Sequence, residues 1–143
     1  MHRKLLLMAA LHFVAMYFLM YAMVDRWENI FLNINKAYMA GLMTSPMLLI
    51  EGFLMSSMYE KKILWSIMGV SAVAFILCFL FIRKQTAIED TEFLRSMIPH
   101  HSGAILMCEE ANIQDPEMRE LCDRIIVSQR EEIEQMKRLL LAQ

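Results

Sequence analysis

From Ile63 to Ile82 the chain runs for twenty residues without a charge. That length matches the roughly 20 apolar residues a helix needs to cross a bilayer. Arg83 and Lys84 close the run. Two more apolar runs precede it. Leu5–Val24 follows Arg3 and Lys4 and has His12 as its only ionisable residue; Ala37–Tyr59 is interrupted by Pro46 and Glu51. No small-x-small cleavage pattern follows the first run, so it reads as an uncleaved span. The expectation is three transmembrane helices, at about 5–24, 37–59 and 63–82. Four glycines and three prolines in 143 residues agree with long helices.

Between the first two runs, Asp25–Lys36 reads as a polar loop. Its Trp27, Asn29, Asn33 and Asn35 suit a membrane interface. Glu60, Lys61 and Lys62 form a short turn. With the N-terminus inside, inside segments carry Arg3, Lys4, Lys61 and Lys62, and outside segments carry Arg26, Lys36, Arg83 and Lys84. This is a tie under the positive-inside rule. The basic start and the Lys61–Lys62 turn lean towards N-inside. The C-terminal part would then lie outside, on the periplasmic side of a bacterial inner membrane.

Composition supports a membrane protein. Hydrophobic residues make up 57% of the chain and mean hydropathy is +0.38, against about 45–50% apolar in ordinary soluble domains. A net charge of −2 provides no basic field for nucleic acid. Fifteen methionines are present. The three cysteines, Cys78, Cys108 and Cys122, are too far apart for a CxxC pair.

From residue 86 the chain turns charged and amphipathic, which divides it into a membrane domain (1–85) and a C-terminal domain (86–143). Phe93, Met97, His100, Ala104, Met107 and Ala111 recur at spacings of three and four, one face of a helix. Pro99 predicts a kink or break before His100. Asn112–Asp115 is a turn, with Asp115 as N-cap and Pro116 in the first helical position. A heptad-like stripe follows in Met118, Cys122, Ile125, Gln129, Glu132, Met136 and Leu139. Two helices joined by so short a loop form an antiparallel hairpin.

Folding that hairpin about its turn gathers Met97, His100, His101, Gln129 and Glu132 near one height, with Met136 about a turn away. Met107 flanks the histidines on the other side. Thioether sulfur beside neutral imidazole suits a soft metal, above all Cu(I). Gln129 or Glu132 could orient an imidazole N–H. Cys108 and Cys122 read as a further soft site or as core. An adjacent His pair is also ordinary on a helix surface, because neighbours sit about 100° apart.

The membrane half has its own pattern. His12, Met16, Met20 and Met23 share a face of the first span. Met39, Met43, Met47, Glu51, Met55 and Met58 form a continuous face on the second. An ionisable residue within a membrane is costly and is a functional candidate by default. His12, Met16, Met20, Met39, Met43, Met47, Glu51 and Met55 therefore make a candidate path for Cu(I), although methionine stripes at helical spacing usually just pack. Glu51 could instead accept hydrogen bonds from Ser45, Ser56 or Asn33. The chain has no Glu-x-x-His pair for di-iron chemistry, no phosphate-binding glycine loop and no Gly-x-Ser-x-Gly elbow. No enzyme is expected.

The segment FLRSMIPHHSGAILM (Phe93–Met107) resembles the Met-x-x-His-His-x-x-Ala-x-x-Met core of the bacterial family called domain of unknown function 305. The matching positions are Met97, His100, His101, Ala104 and Met107. The Asp115-Pro116-Glu117 turn with Leu121 is similar too, as is Gln-x-x-Glu-Ile-x-x-Met at Gln129, Glu132, Ile133 and Met136. YMAGLMTSPM (Tyr38–Met47) looks like membrane-anchored members associated with copper-handling genes. The resemblance implies a ferritin-like helical fold and an extracytoplasmic metal-binding domain, with copper or silver as the metal. It implies no particular reaction. Ser102, Gly103 and Cys108 depart from the family pattern.

The matched segment is half of a four-helix bundle, so a homodimer or higher oligomer through the hairpin is expected. Taken together, the sequence reads as an all-α protein: three spans anchoring a hairpin that binds copper for sequestration or handover in metal tolerance, with the bilayer and a copper-handling protein as partners. The alternative is a structural or oligomerisation module with no bound metal.

Overall fold

A computed structural model describes residues 2–142 and is all-helical. The side chain of Arg3, counted in the charge balance above, lies outside the described residues. Five α-helices follow in order: α1 (His2–Leu19), α2 (Ile34–Leu54), α3 (Lys61–Lys84), α4 (Asp90–Glu110) and α5 (Pro116–Leu141). Single 3-10 turns occupy Trp27–Asn29 and Ser56–Met58. The chain divides into two compact units. One comprises residues 1–20 and 35–87; the other comprises 21–34 and 88–143. The Tyr21–Ile34 connector thus belongs with the C-terminal hairpin.

In the first unit, Gly41 of α2 lies where α1 and α3 come close. A β-carbon there would stand 2.8 Å from the Cys78 sulfur and 3.8 Å from the Phe13 ring. Farther along α2, a β-carbon on Gly52 would stand 3.0 Å from the Met68 sulfur on α3. α2 and α3 are long and apolar enough to cross a membrane, by length and composition. α3 is apolar all round, and Trp65 (73%) and Val70 (71%) are largely exposed along it. The apolar part of α1, Lys4–Leu19, is shorter than the expected 5–24 span. The helix ends at Leu19 because the chain turns into the connector, and the Lys36 ammonium donates to the Met20 carbonyl at 2.9 Å. α2 likewise stops at Leu54, short of the expected Tyr59.

In the second unit α4 and α5 form the antiparallel hairpin. Its turn is built as the residues dictate. The Asp115 carboxylate caps α5 by accepting from the Met118 N–H at 2.9 Å, and Pro116 stands in the first turn where its missing N–H costs nothing. The core consists of Leu94, Ile98, Ile105, Ile133 and Met136, with Phe31, Met97, Ile126 and Leu140 packed against it. The core-facing edges therefore differ from the expected ones. On α4 it runs through Leu94, Ile98, His101 and Ile105, while Phe93 (49%) and Met107 (54%) of the expected stripe point outward. On α5 it runs through Ile126, Ile133, Met136 and Leu140; Met136 of the expected stripe is thus in the core, while Met118 and Leu139 are exposed.

The break expected at Pro99 does not occur; α4 is helical throughout. Proline removes the N–H that would bond the Arg95 carbonyl four residues back. The Asn33 amide of the connector donates to that carbonyl at 3.4 Å. The connector is therefore more than an interfacial loop. The Asp25 N–H donates to the Ser102 hydroxyl at 2.8 Å, and that hydroxyl donates back to the Asp25 carboxylate, which also accepts from the Asn29 amide at 2.8 Å. Tyr21 donates to the Phe31 carbonyl at 2.7 Å and closes the connector on itself.

Candidate functional site

The histidine pair splits by helix geometry. Neighbours on a helix differ by about 100°, so His101 enters the hairpin and His100 faces out. His101 is buried at 8% exposure, while His100 is exposed and makes no hydrogen bond among the described residues. Their ring centroids are 6.1 Å apart.

His101 is fixed from two sides. Its Nδ1 donates to the Met97 carbonyl at 3.0 Å, and its Nε2 lies 2.6 Å from Oε2 of Glu132 on α5. Ser128, one turn before Glu132, donates to the other carboxylate oxygen at 3.0 Å. The Ser128 hydroxyl first, and His101 second, hold the Glu132 carboxyl below its ordinary value. A backbone carbonyl thus meets one ring nitrogen and a carboxylate the other. Both ring nitrogens of His101 are therefore engaged within the hairpin.

The Glu132–imidazole contact expected from folding the hairpin is thus present. The rest of the candidate set does not gather at one point. Met97 is half-buried against the core, and Met136 lies within it. Gln129 is half-buried. Met107, two turns beyond His100 on the same helix edge, is exposed. Phe93, His100 and Met107 therefore line the outward edge of α4, Met97 flanks that edge against the core, and His101 and Glu132 brace α4 against α5.

Cys108 and Cys122 form a disulfide that joins the two helices near the turn, with α-carbons 5.2 Å apart. This replaces both readings of them above. Bonded sulfurs are neither a soft-metal thiolate site nor simple core. The separation of fourteen residues across a short turn was the available signal.

Sequence reasoning also missed the connector clamp. Asp25 is held below the ordinary carboxylate value although burial pushes it up; the Ser102 and Asn29 hydrogen bonds and the neighbouring Arg26 outweigh that burial. Two of the three departures from the resembled pattern, Ser102 and Gly103, lie at this clamp. Ser102 makes the bonds to Asp25, and Gly103 lies against the Met23 backbone, whose carbonyl oxygen a β-carbon there would meet at an ordinary contact distance of 3.4 Å.

In the first unit, His12, Met16, Met43, Met47, Glu51 and Met55 line one cavity of about 530 Å³ together with Pro46, Ile50 and Leu54. Met20 and Met39 are not among its lining residues. Ser45 does not serve Glu51; its hydroxyl bonds the Gly41 carbonyl at 2.8 Å. The Asn33 amide donates to the Phe31 and Arg95 carbonyls. Among the described residues no three His, Cys, Asp or Glu side chains come together as a metal-binding group. The donors on offer are thioether and imidazole, which fit a soft monovalent ion better than zinc or a hard cation.

Residues 82–140 match the family described as Domain of unknown function (DUF305). A protein of Acanthamoeba polyphaga mimivirus, "Uncharacterized protein L153", is 34% identical over 142 residues, covering 95% of this chain and 90% of its own. No solved structure matches the chain.

Proposed function

The chain belongs to the DUF305 family, and on that footing we propose that it is a membrane-anchored protein that binds copper, as Cu(I), or silver. Its job is sequestration or handover in metal tolerance, without turnover of a substrate. The observation that carries the reading is the division of labour in the histidine pair. His101 is locked by the Met97 carbonyl and Glu132, while His100 stands exposed and without a hydrogen bond among the described residues, one helical turn from half-buried Met97 and two from exposed Met107. A linear or trigonal set of one imidazole and one or two thioethers suits Cu(I). Gln129, Glu132 and Met136 act from behind, as support.

The outward edge of one hairpin is only one wall. A second copy placing the same edge against it would supply the remaining donors and cover Phe93. A homodimer is therefore part of the proposal. α2 and α3 anchor the protein in the bilayer and α1 serves as a third, shorter span. The Cys108–Cys122 disulfide supports an oxidising, extracytoplasmic side for the hairpin, because cytosolic thiols are kept reduced. A copper-handling protein would be the recipient.

One observation favours the metal-free alternative: both nitrogens of His101 are consumed within the hairpin. Cu(I) titration of the full-length protein in detergent micelles, against a chromogenic Cu(I) chelator, separates the two. Uptake that His100→Ala removes supports the metal reading. Absence of uptake leaves the oligomerisation module.

A further inference from the structure

We propose that the membrane unit contains a second, separate site for one soft monovalent cation, Cu(I) or Ag(I), within the cavity between α1 and α2. Four thioethers, from Met16, Met43, Met47 and Met55, line this cavity with the His12 imidazole and the Glu51 carboxyl. This is a different arrangement from a ladder running along one helix face. Met39 and Met20, which continue the stripes, do not line it. The sulfur-bearing residues come from two helices and converge on one space.

The chemistry of the lining selects the ion. Thioethers are neutral and weakly hydrated, so placing several of them in an apolar helical unit carries little of the cost of burying charge. They bind soft cations and ignore hard ones. Glu51 is the one acidic side chain in the lining. One carboxylate balances one positive charge, so a monovalent ion leaves the cavity neutral. A divalent ion would leave a net charge in a low-dielectric setting, where uncompensated charge is expensive. Pro46 also lines the cavity, and its ring prevents an N–H from bonding the carbonyl four residues earlier in α2. The cavity of about 530 Å³ is larger than one ion requires, so the methionine arms, with three rotatable bonds each, close on the ion.

The proposal does not depend on copper at the hairpin, and its test keeps the two apart. The background is the full-length protein carrying His100→Ala and Met97→Leu, in detergent micelles under argon. Cu(I) is supplied in competition with a chromogenic Cu(I) chelator. The expected result is one Cu(I) retained per chain. Adding Met43→Leu and Met47→Leu, which conserve volume, removes that equivalent. Adding Glu51→Gln instead weakens it by about tenfold or more, through loss of the counter-charge. Zn(II) in excess does not displace it. If the Met43 and Met47 variants fail to fold, Met16→Leu with Met55→Leu makes the same test from the other lining residues. A background protein that takes up no Cu(I), or methionine variants that retain the full equivalent, overturns the site. Displacement by Zn(II) overturns the monovalent assignment. Equal stoichiometry in wild type and background would count against the hairpin centre while the cavity site stands.

Discussion

The imidazole of His101 meets the carboxylate of Glu132 at 2.6 Å across the hairpin, from the middle of α4 to the middle of α5. Because Met97 takes the other ring nitrogen, this histidine works as a brace. Glu132 is held low by Ser128 and His101, and Asp25 is held low at the connector clamp. A carboxyl whose folded value is depressed contributes stability above its unfolded value and loses it as pH falls. Hairpin stability should therefore decline as pH drops through about 4.5 and then 3.8, the ordinary values of the two groups. Thermal unfolding measured from pH 7 to pH 3 should show this decline. Glu132→Gln with Asp25→Asn should flatten it.

The connector clamp is a second place where loss should be measurable. The Ser102 side chain is fully buried and bonded to the Asp25 carboxylate and N–H. Ser102→Ala removes a hydrogen bond to a charged group, a loss of about 1.5–3 kcal/mol. Amide exchange should speed up across residues 21–34 while the α4–α5 core stays protected. Unchanged exchange in the connector would show that the clamp contributes nothing.

Breaking the Cys108–Cys122 disulfide opens a loop of about 15 residues in the unfolded chain, worth roughly 3 kcal/mol in the loop-entropy account. Cys108→Ala with Cys122→Ala, or reduction of the wild type, should lower the denaturant midpoint of the hairpin by a corresponding amount. Mass spectrometry of alkylated protein, before and after reduction, should find Cys78 as the free thiol.

The two edges of α4 should respond differently to truncation. Ile98→Ala and Ile105→Ala each remove a fully buried side chain and should cost about 2–5 kcal/mol. Phe93→Ala lies on the outward edge, and should leave monomer stability within about 0.5 kcal/mol while weakening self-association. Sedimentation of the detergent-solubilised protein reads the second effect. A Phe93→Ala protein that sediments like wild type would remove the outward edge from the dimer interface.

Much of this was legible in the residues. The charge-free run became α3, the Asp115-Pro116 pair set the start of α5, and the hairpin follows from its short turn. Which edge of each helix faces inward was not legible. Phe93–Met107 and Leu94–Ile105 are both apolar at helical spacing, and periodicity alone does not choose between them. Pro99 misled because the compensating donor, Asn33, is sixty-two residues in sequence from Arg95, whose freed carbonyl it serves. The connector's asparagines suit a membrane interface equally well, and only the Asn33 bond to α4 and the Asn29 bond to Asp25 reveal the clamp. The folded hairpin brings Glu132 to His101, the contact its register implies. Helix angle alone separates the two histidines, but which of them enters the core depends on the inward edge.

The most direct test of the central claim is to treat the two histidines separately. Cu(I) affinity of the full-length protein, with the membrane cavity silenced by Met43→Leu and Met47→Leu, should be lost in His100→Ala. In His101→Gln it should persist, because that residue braces the hairpin and does not ligate. Loss of binding in His101→Gln with retention in His100→Ala would contradict the account, as would a protein that takes up no Cu(I).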